Sequence, residues 1–379
     1  MKQVINAMCR QVWSLPELLQ QQYAHLEPAC RKVLTTPEIF SIQQIVLTGC
    51  GDSHAAAMAV RYVFEDLTGI PTEAVPAIEL SRYYSERRLG FAPNNPFVIA
   101  VSNSGKIARI IEAVQRSTDR GAFTLGITGH LESPLGQCAM RALPLSIPPF
   151  ENAPGTRSYL VSVLALLLLA IRLGEVRGRY TMDQANCYRS DLLKQAEVLD
   201  RMLPAMDEQM RELALRWKDM EAFDFIGAGP DYATAWYGQG KIYEACGKYA
   251  MCNNTEEWLH MNFFMRRVDR IGTILICEGT SPAYSRALEV AYNAVHDMGR
   301  PLLVVTSGEN GFADLGCSVV TMPTTKYSQS GILTQFTSLG LLAGYLGEFL
   351  GEEAGRGCKG PWQFAADGRG TTQSQIIIK

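Results

Sequence analysis

The sequence predicts two tandem doubly wound α/β domains, each with a mainly parallel sheet flanked by helices. Three observations predict it. Short apolar runs of strand length alternate with amphipathic stretches, two of those runs end in a GxG turn, and the whole pattern occurs twice along the 379 residues. Strands alternating with helices make βαβ units, whose strands are parallel and covered on both faces.

The repeat fixes the register of the two halves. Gln44-Ile45-Val46-Leu47-Thr48 leads into Gly49-Cys50-Gly51-Asp52-Ser53-His54-Ala55, and Phe223-Asp224-Phe225-Ile226 leads into Gly227-Ala228-Gly229-Pro230-Asp231-Tyr232-Ala233. Each reads as a buried strand, a tight turn and a helix opening on small residues. Phe97 to Val101, before Ser102-Asn103-Ser104-Gly105, is matched by Thr273 to Cys277, before Glu278-Gly279-Thr280-Ser281. A third strand, Thr124 to Gly129, has its partner in Leu302 to Ser307. The offset is almost constant, since 227 − 49 and 306 − 128 both give 178.

Five segments follow. Residues 1–40 read as helix (Pro16 to Gln20) packing onto the first domain, residues 41–178 as that domain, and 220–350 as the second. Between them, 179–219 forms a helical linker with Leu192, Leu193, Ala196, Leu199 and Leu203 at helical spacing, broken or kinked at Pro204. From 351 to 379 Gly, Pro and polar residues predict an extended tail. The apolar run Tyr159 to Ile171, bracketed by Arg157 and Arg172, falls short of the ~20 residues of a membrane span and reads as a helix buried between layers.

Composition excludes several partners. With 35 Lys and Arg against 38 Asp and Glu, the net charge of −3 gives no footing for nucleic acid or an anionic membrane. The ten cysteines show no CxxC pair and no zinc-ligand spacing, so they read as small buried hydrophobes, and no metal or redox cofactor is expected. The first residues (Lys2, Asn6, Arg10) lack the apolar core of a signal peptide, and a reducing, cytoplasmic setting is expected.

Two loops suit a phosphate. Ser102 to Gly105 lies between a strand and the helix from Ile107 to Gln115, where hydroxyls and backbone N–H groups meet a helix dipole and Lys106 adds charge. The same residues serve equally as an ordinary helix cap. Gly49 to Ser53 is a second such turn, expected beside the first in the sheet. No third glycine follows, as a dinucleotide fingerprint requires, and His54 reads as a helix-start residue.

The segments GCGDS (Gly49 to Ser53), VSNSG (Val101 to Gly105) and GTRSY (Gly155 to Tyr159) resemble the phosphosugar-binding segments of sugar-isomerase (SIS) domains. The match is to the isomerase half of glucosamine-6-phosphate synthases and to fructosamine-6-phosphate deglycases, and it runs from about Ile42 to the C-terminus. By that resemblance Gly51, Ser53, Ser102, Asn103 and Ser104 grip the phosphate, and Thr156 lies near the sugar. Gly238 to Glu244 is similar to the helix carrying the family's catalytic glutamate, which falls on Glu244. Glu256-Glu257-Trp258-Leu259-His260 matches its E-x-x-H stretch, which places the catalytic histidine on His260; Lys241 and Glu257 join the substrate-binding set. The resemblance also implies a homodimer with shared active sites and a phosphorylated amino sugar as substrate. Some positions depart: Ile107 replaces a phosphate-binding threonine, Met261-Asn262 follow His260 in place of Gly-Pro, and Gln373 stands where the synthases carry a late lysine. No glutaminase domain or N-terminal cysteine nucleophile is seen ahead of the first domain.

On spacing alone, Lys241, Glu244 and Lys248 also read as an ion-pair ladder on a solvated helix face. Glu256, Glu257 and His260 likewise read as a polar turn. Sixteen residues at 100° each put Glu244 and His260 on opposite sides of any straight helix, and Asn253-Asn254 offers a break. The chemistry suits a base whose pKa is lifted by partial burial, together with an imidazole acid. The expected activity is release of an amine or amino acid from a fructosamine 6-phosphate. An aminosugar-phosphate isomerase or deaminase and a non-catalytic phosphosugar sensor are the rivals.

Overall fold

The computed structural model describes residues 6–308, 311–352 and 370–378. Helices α1 (Ala7–Trp13), α2 (Leu15–Lys32) and α3 (Thr36–Ser41) precede the first sheet. Its elements run β1 (Ile45–Gly49), α4 (Asp52–Thr68), β2 (Thr72–Pro76), α5 (Ala77–Arg82), β3 (Phe97–Val101), α6 (Ala108–Asp119), β4 (Phe123–Thr128), α7 (Pro134–Cys138), β5 (Arg141–Pro144) and α8 (Arg157–Val176). After α9 (Met182–Trp217) the second series follows: β6 (Ala222–Ile226), α10 (Pro230–Cys246), β7 (Tyr249–Asn253), α11 (Thr255–Asn262), β8 (Ile271–Cys277), α12 (Tyr284–Tyr292), β9 (Leu302–Ser307), β10 (Ser318–Met322), α13 (Ser328–Gly331) and α14 (Thr337–Phe349).

Both sheets have five strands, all parallel, ordered β2-β1-β3-β4-β5 and β7-β6-β8-β9-β10. The expected doubly wound pair of domains is therefore present, with one topology used twice. The central strands are buried along their whole length, as FVIAV and TILIC require.

The duplication extends to single atoms. A Cβ on Gly49 would stand 2.6 Å from the carbonyl carbon of Ser53, and one on Gly227 would stand 2.6 Å from that of Asp231. Gly51 (φ 56°, ψ −133°) and Gly229 (φ 58°, ψ −130°) then take the same backbone conformation, closed to other L-residues, ahead of α4 and α10.

The described residues divide into two compact units, one of 17–149, 157–193 and 370–378, the other of 6–16, 150–156 and 194–352. In the first, α8 lies against α4 and α3 and is buried almost end to end. At 20 residues it is longer than its apolar run, and by length and composition it passes for a membrane span; 83% of that stretch is core. Its end is fixed by Glu175, which pairs with Arg31, Arg172 and Arg189.

Three sequence expectations are corrected. The first forty residues do not all pack on the first sheet: α1 lies on α14, with Asn6 Nδ2 donating to the Gly344 carbonyl at 3.0 Å. Pro204 does not break the linker, because α9 runs through it from Met182 to Trp217. Between Glu244 and His260 the chain is not helix with one break. Gly247, in the left-handed region, ends α10, and β7 intervenes. Most of the tail lies outside the described residues; 370–378 has turns but no helix or strand.

Gly49→Ala and Gly227→Ala are each expected to destabilise their unit by about 1–3 kcal/mol or more, the usual result of overpacking a closed site. Urea denaturation checks it. An unchanged midpoint for either variant would contradict the close approach.

Candidate functional site

In the first sheet the chain leaves β1 for β2 on one side, while β3, β4 and β5 continue on the other. The crevice at the carboxyl ends of β1 and β3 is where such sheets bind ligands. Both candidate turns open there, so Gly51, Ser53, Ser102, Asn103 and Ser104 lie at one end of one sheet. Ser102 is buried, and its Oγ accepts from the Gly105 amide at 3.1 Å. Gly105 has φ +64°, and a Cβ there would fall 1.9 Å from Ser133 Oγ. The Asn103 carbonyl accepts from the Gly129 amide at 2.9 Å and from Thr128 Oγ1 at 3.3 Å, which ties the loop to the end of β4. Asn103 and Ser53 are half-buried, and Ser104 and Lys106 are exposed.

The helix-cap reading of this loop does not hold. Ile107 is the N-cap of α6 and makes no side-chain cap bond; the Ala108 amide donates instead to the Thr371 carbonyl at 3.0 Å. The end of the chain is thus fastened to α6. Arg109 donates to Ser374 Oγ at 3.3 Å and to the Gln375 carbonyl, and the Ile377 amide donates to Glu112 Oε2 at 2.7 Å. Glu112 is fully buried and pairs with Arg82 and Arg109. Burial pushes its carboxyl up, but Arg82, the Ile377 amide and Arg109 more than offset this and hold it below the ordinary range. Gln373 is exposed. His54 is half-buried, and that burial depresses its pKa.

The second sheet repeats the crevice with different chemistry. Asp231 stands where the first turn has Ser53, and Glu278 where the first loop has Ser102. Asp231 Oδ2 accepts from the Glu278 amide at 3.0 Å, and Oδ1 accepts from Gln335 Nε2 at 2.7 Å. Burial pushes the Asp231 carboxyl up to about 7, against the hydrogen bonds from Gln335 and the Glu278 amide. In this half the loop amide already holds one of the protein's own carboxylates. The serine-lined crevice is the one suited to an incoming anion.

Lys241 and Glu244 lie on α10. Lys241 is fully buried, and its Nζ donates to Glu244 Oε2 at 2.6 Å and sits 4.9 Å from the centre of the Tyr237 ring. The Glu244 side chain is 45% exposed, and the buried ammonium holds it. The expected Glu244–Lys248 pair is absent, because Lys248, beyond the helix end, donates to the Lys218 and Met220 carbonyls. Glu244 lines a small cleft with Asn6, Ala153, Pro154, Gly344 and Gly347. The GTRSY segment begins beside it: Tyr237 Oη donates to the Gly155 carbonyl at 3.4 Å. Thr156 is fully buried, and its Oγ1 donates to Gln11 Oε1 at 2.9 Å.

Helix α11 starts at Asn254, whose side chain accepts from the Glu256 and Glu257 amides. Glu256 pairs with Arg286, while Glu257 and His260 are exposed. Among the described residues no three His, Cys, Asp or Glu side chains are grouped to hold a metal. Sequence reasoning missed the Asp231 carboxylate, Gln11 behind Thr156 and the tail on α6. The 178-residue offset carried a signal only for Asp231.

Residues 38–172 match the family model of the SIS domain. The chain carries a SIS domain. Its two five-stranded sheets reproduce the fold of tandem SIS domains. The C-terminal domain of glucosamine-fructose-6-phosphate aminotransferase from Francisella tularensis superposes with a TM-score of 0.80 at 16% identity, over 93% of this chain and 98% of that one. Tagatose-6-phosphate ketose/aldose isomerase from Escherichia coli gives 0.73 at 15% identity, over 94% and 97%. In sequence the chain is 26% identical over 288 residues to the glutamine–fructose-6-phosphate aminotransferase (isomerizing) of Thermotoga maritima, covering 75% of this chain and 46% of that protein. It thus spans less than half the length of that relative.

Because folding raises the Asp231 pKa from 3.8 to about 7, the folded state holds a proton that the unfolded chain has lost between those values. Stability relative to Asp231→Asn is expected to fall as pH rises from about 4 to about 7, by up to ~1.4 kcal/mol per pH unit, and then to level. Urea midpoints across pH 4–8 measure it. A parallel pair of curves would refute it.

Proposed function

We propose that the chain is a phosphosugar-processing enzyme that hydrolytically releases an amine or amino acid from a fructosamine 6-phosphate. The observation that carries this reading is the Lys241–Glu244 pair. A carboxylate held by a fully buried ammonium, yet open to a cleft, is oriented without being sealed from a small substrate. The serine-lined crevice supports a phosphate ligand, held by Ser53 and Ser102 to Ser104 with Gly51 shaping the turn. A relative, the glutamine–fructose-6-phosphate aminotransferase, and a solved neighbour, the tagatose-6-phosphate ketose/aldose isomerase, support substrates of this class. Gln373, in place of the synthases' late lysine, favours release over isomerisation.

The steps balance without an external oxidant. Glu244 takes a proton from C1 of the ketosamine, and a proton returned to C2 shifts the double bond to C1=N. Water then adds at C1, the C–N bond breaks, and His260 supplies the proton with which the amine leaves. The products are an aldose 6-phosphate and a free amine. Lys241 fixes Glu244, while Glu257 and Thr156 belong to the substrate side of the reading.

A homodimer is part of the proposal. Met261, Phe263, Phe264 and Met265 follow His260 directly and are 48%, 58%, 76% and 45% exposed, an apolar surface suited to a second copy. Light scattering is expected to give twice the chain mass, and a monomer at working concentration would remove this part.

The decisive assay couples fructosamine 6-phosphates to glucose-6-phosphate dehydrogenase. Turnover is expected, with a loss of about 10²–10⁴-fold in Glu244→Gln, the range for a removed acid or base. Glucosamine 6-phosphate giving a signal only after phosphoglucose isomerase is added would indicate a deaminase. Silence from every substrate in protein that binds sugar phosphates would favour a sensor.

A further inference from the structure

Beneath α11 lies a buried ion pair that the proposed chemistry does not use. Asp224, in the middle of β6, and Arg300, just ahead of β9, have side chains 2% and 0% exposed and are joined through Arg300 Nη1 and Asp224 Oδ2. Both reach up to the same short helix. Trp258 Nε1 donates to Asp224 Oδ2 at 3.2 Å, and Arg300 Nη2 donates to Asn262 Oδ1 at 3.0 Å. The guanidinium also lies 5.0 Å from the centre of the Trp258 ring. Burial pushes the Asp224 carboxyl up and the Arg300 guanidinium down, each against the pull of its partner. Desolvation therefore weighs heavily on the pair, which is a poor stabiliser compared with apolar packing. What it supplies is direction.

Trp258 and Asn262 are four residues apart, so they share one face of α11, and His260, between them, points from the other. A helix of eight residues has little stability of its own in water, and its roll is set by what grips its buried face. We propose that Asp224 and Arg300, acting through Trp258 and Asn262, are positioning residues that fix the roll of α11 and so aim the His260 imidazole. This rests on the reading of His260 as the acid. A misplacement of ~1 Å at a reacting group costs on the order of a hundredfold in rate.

The test compares Trp258→Phe, Asn262→Ala, Asn262→Asp and His260→Ala in the coupled assay on the full chain. Trp258→Phe keeps a ring but removes the donor, and Asn262→Asp keeps an acceptor for Arg300. Trp258→Phe and Asn262→Ala are expected to lose roughly tenfold to a hundredfold in kcat with KM nearly unchanged. Asn262→Asp should stay close to the parent, and neither loss should add to that of His260→Ala. Full kcat in Trp258→Phe and Asn262→Ala, with His260→Ala inactive, would overturn the positioning role alone. Full kcat in His260→Ala would overturn the reading of His260, and this proposal with it. Independently of any substrate, the imidazole NMR signal assigned to His260 by its loss in His260→Ala should shift in Trp258→Phe and Asn262→Ala. Those of His25, His54, His130 and His296 should stay in place, and an unmoved His260 signal counts against the proposal.

Discussion

A parallel strand can be followed by its neighbour only if the chain first crosses a face of the sheet, and after β1 and β6 the crossing begins within four residues of the strand end. That constraint sets the glycines at 49, 51, 227 and 229, where the helix backbone comes down onto the strand so closely that no β-carbon fits at the first of each pair. It also points the first turns of α4 and α10 at the crevice where the strand order divides. Each crevice is thus lined by backbone before any side chain is chosen, and residues of either half differ in chemistry while occupying equivalent places.

The two halves use this freedom in opposite ways. Hydroxyls at 53 and 102 leave the first crevice able to accept an anion, whereas in the second the Asp231 carboxyl already occupies the loop amide. Equivalent places in the two halves thus carry different chemistry. The second half carries Lys241 and Glu244 on the helix that follows its turn.

What could be read from the sequence follows from burial. Strands β1, β3, β4, β6, β8 and β9 lie inside their sheets and read as mainly apolar runs, with Asp224 the one charged residue among them. The edge strands β2, β5, β7 and β10 do not: TEAVP, RALP, YAMCN and SVVTM are partly uncovered and mix polar with apolar residues. Missing β7 is what made 238–260 look like an interrupted helix. The site turns were legible because they follow legible strands, and the Lys241–Glu244 pair because i,i+3 spacing is local. The contacts of Asp224 with Arg300, of Asp231 with Gln335 and of Glu112 with Ile377 were not, since each joins segments distant in sequence that only the fold brings into reach.

Helix α8 has a bearing on how the chain is made. Its side chains are apolar enough to be handled as a membrane segment by cellular machinery that sees only composition. Yet α3 and α4, on which it rests, and Cys30 of α2, whose thiol reaches the Ala165 carbonyl, are all synthesised before it. Emerging from the ribosome, α8 meets a surface already translated. Vectorial synthesis thus shortens the time during which its twenty residues are exposed to chaperones, to aggregation or to a lipid bilayer.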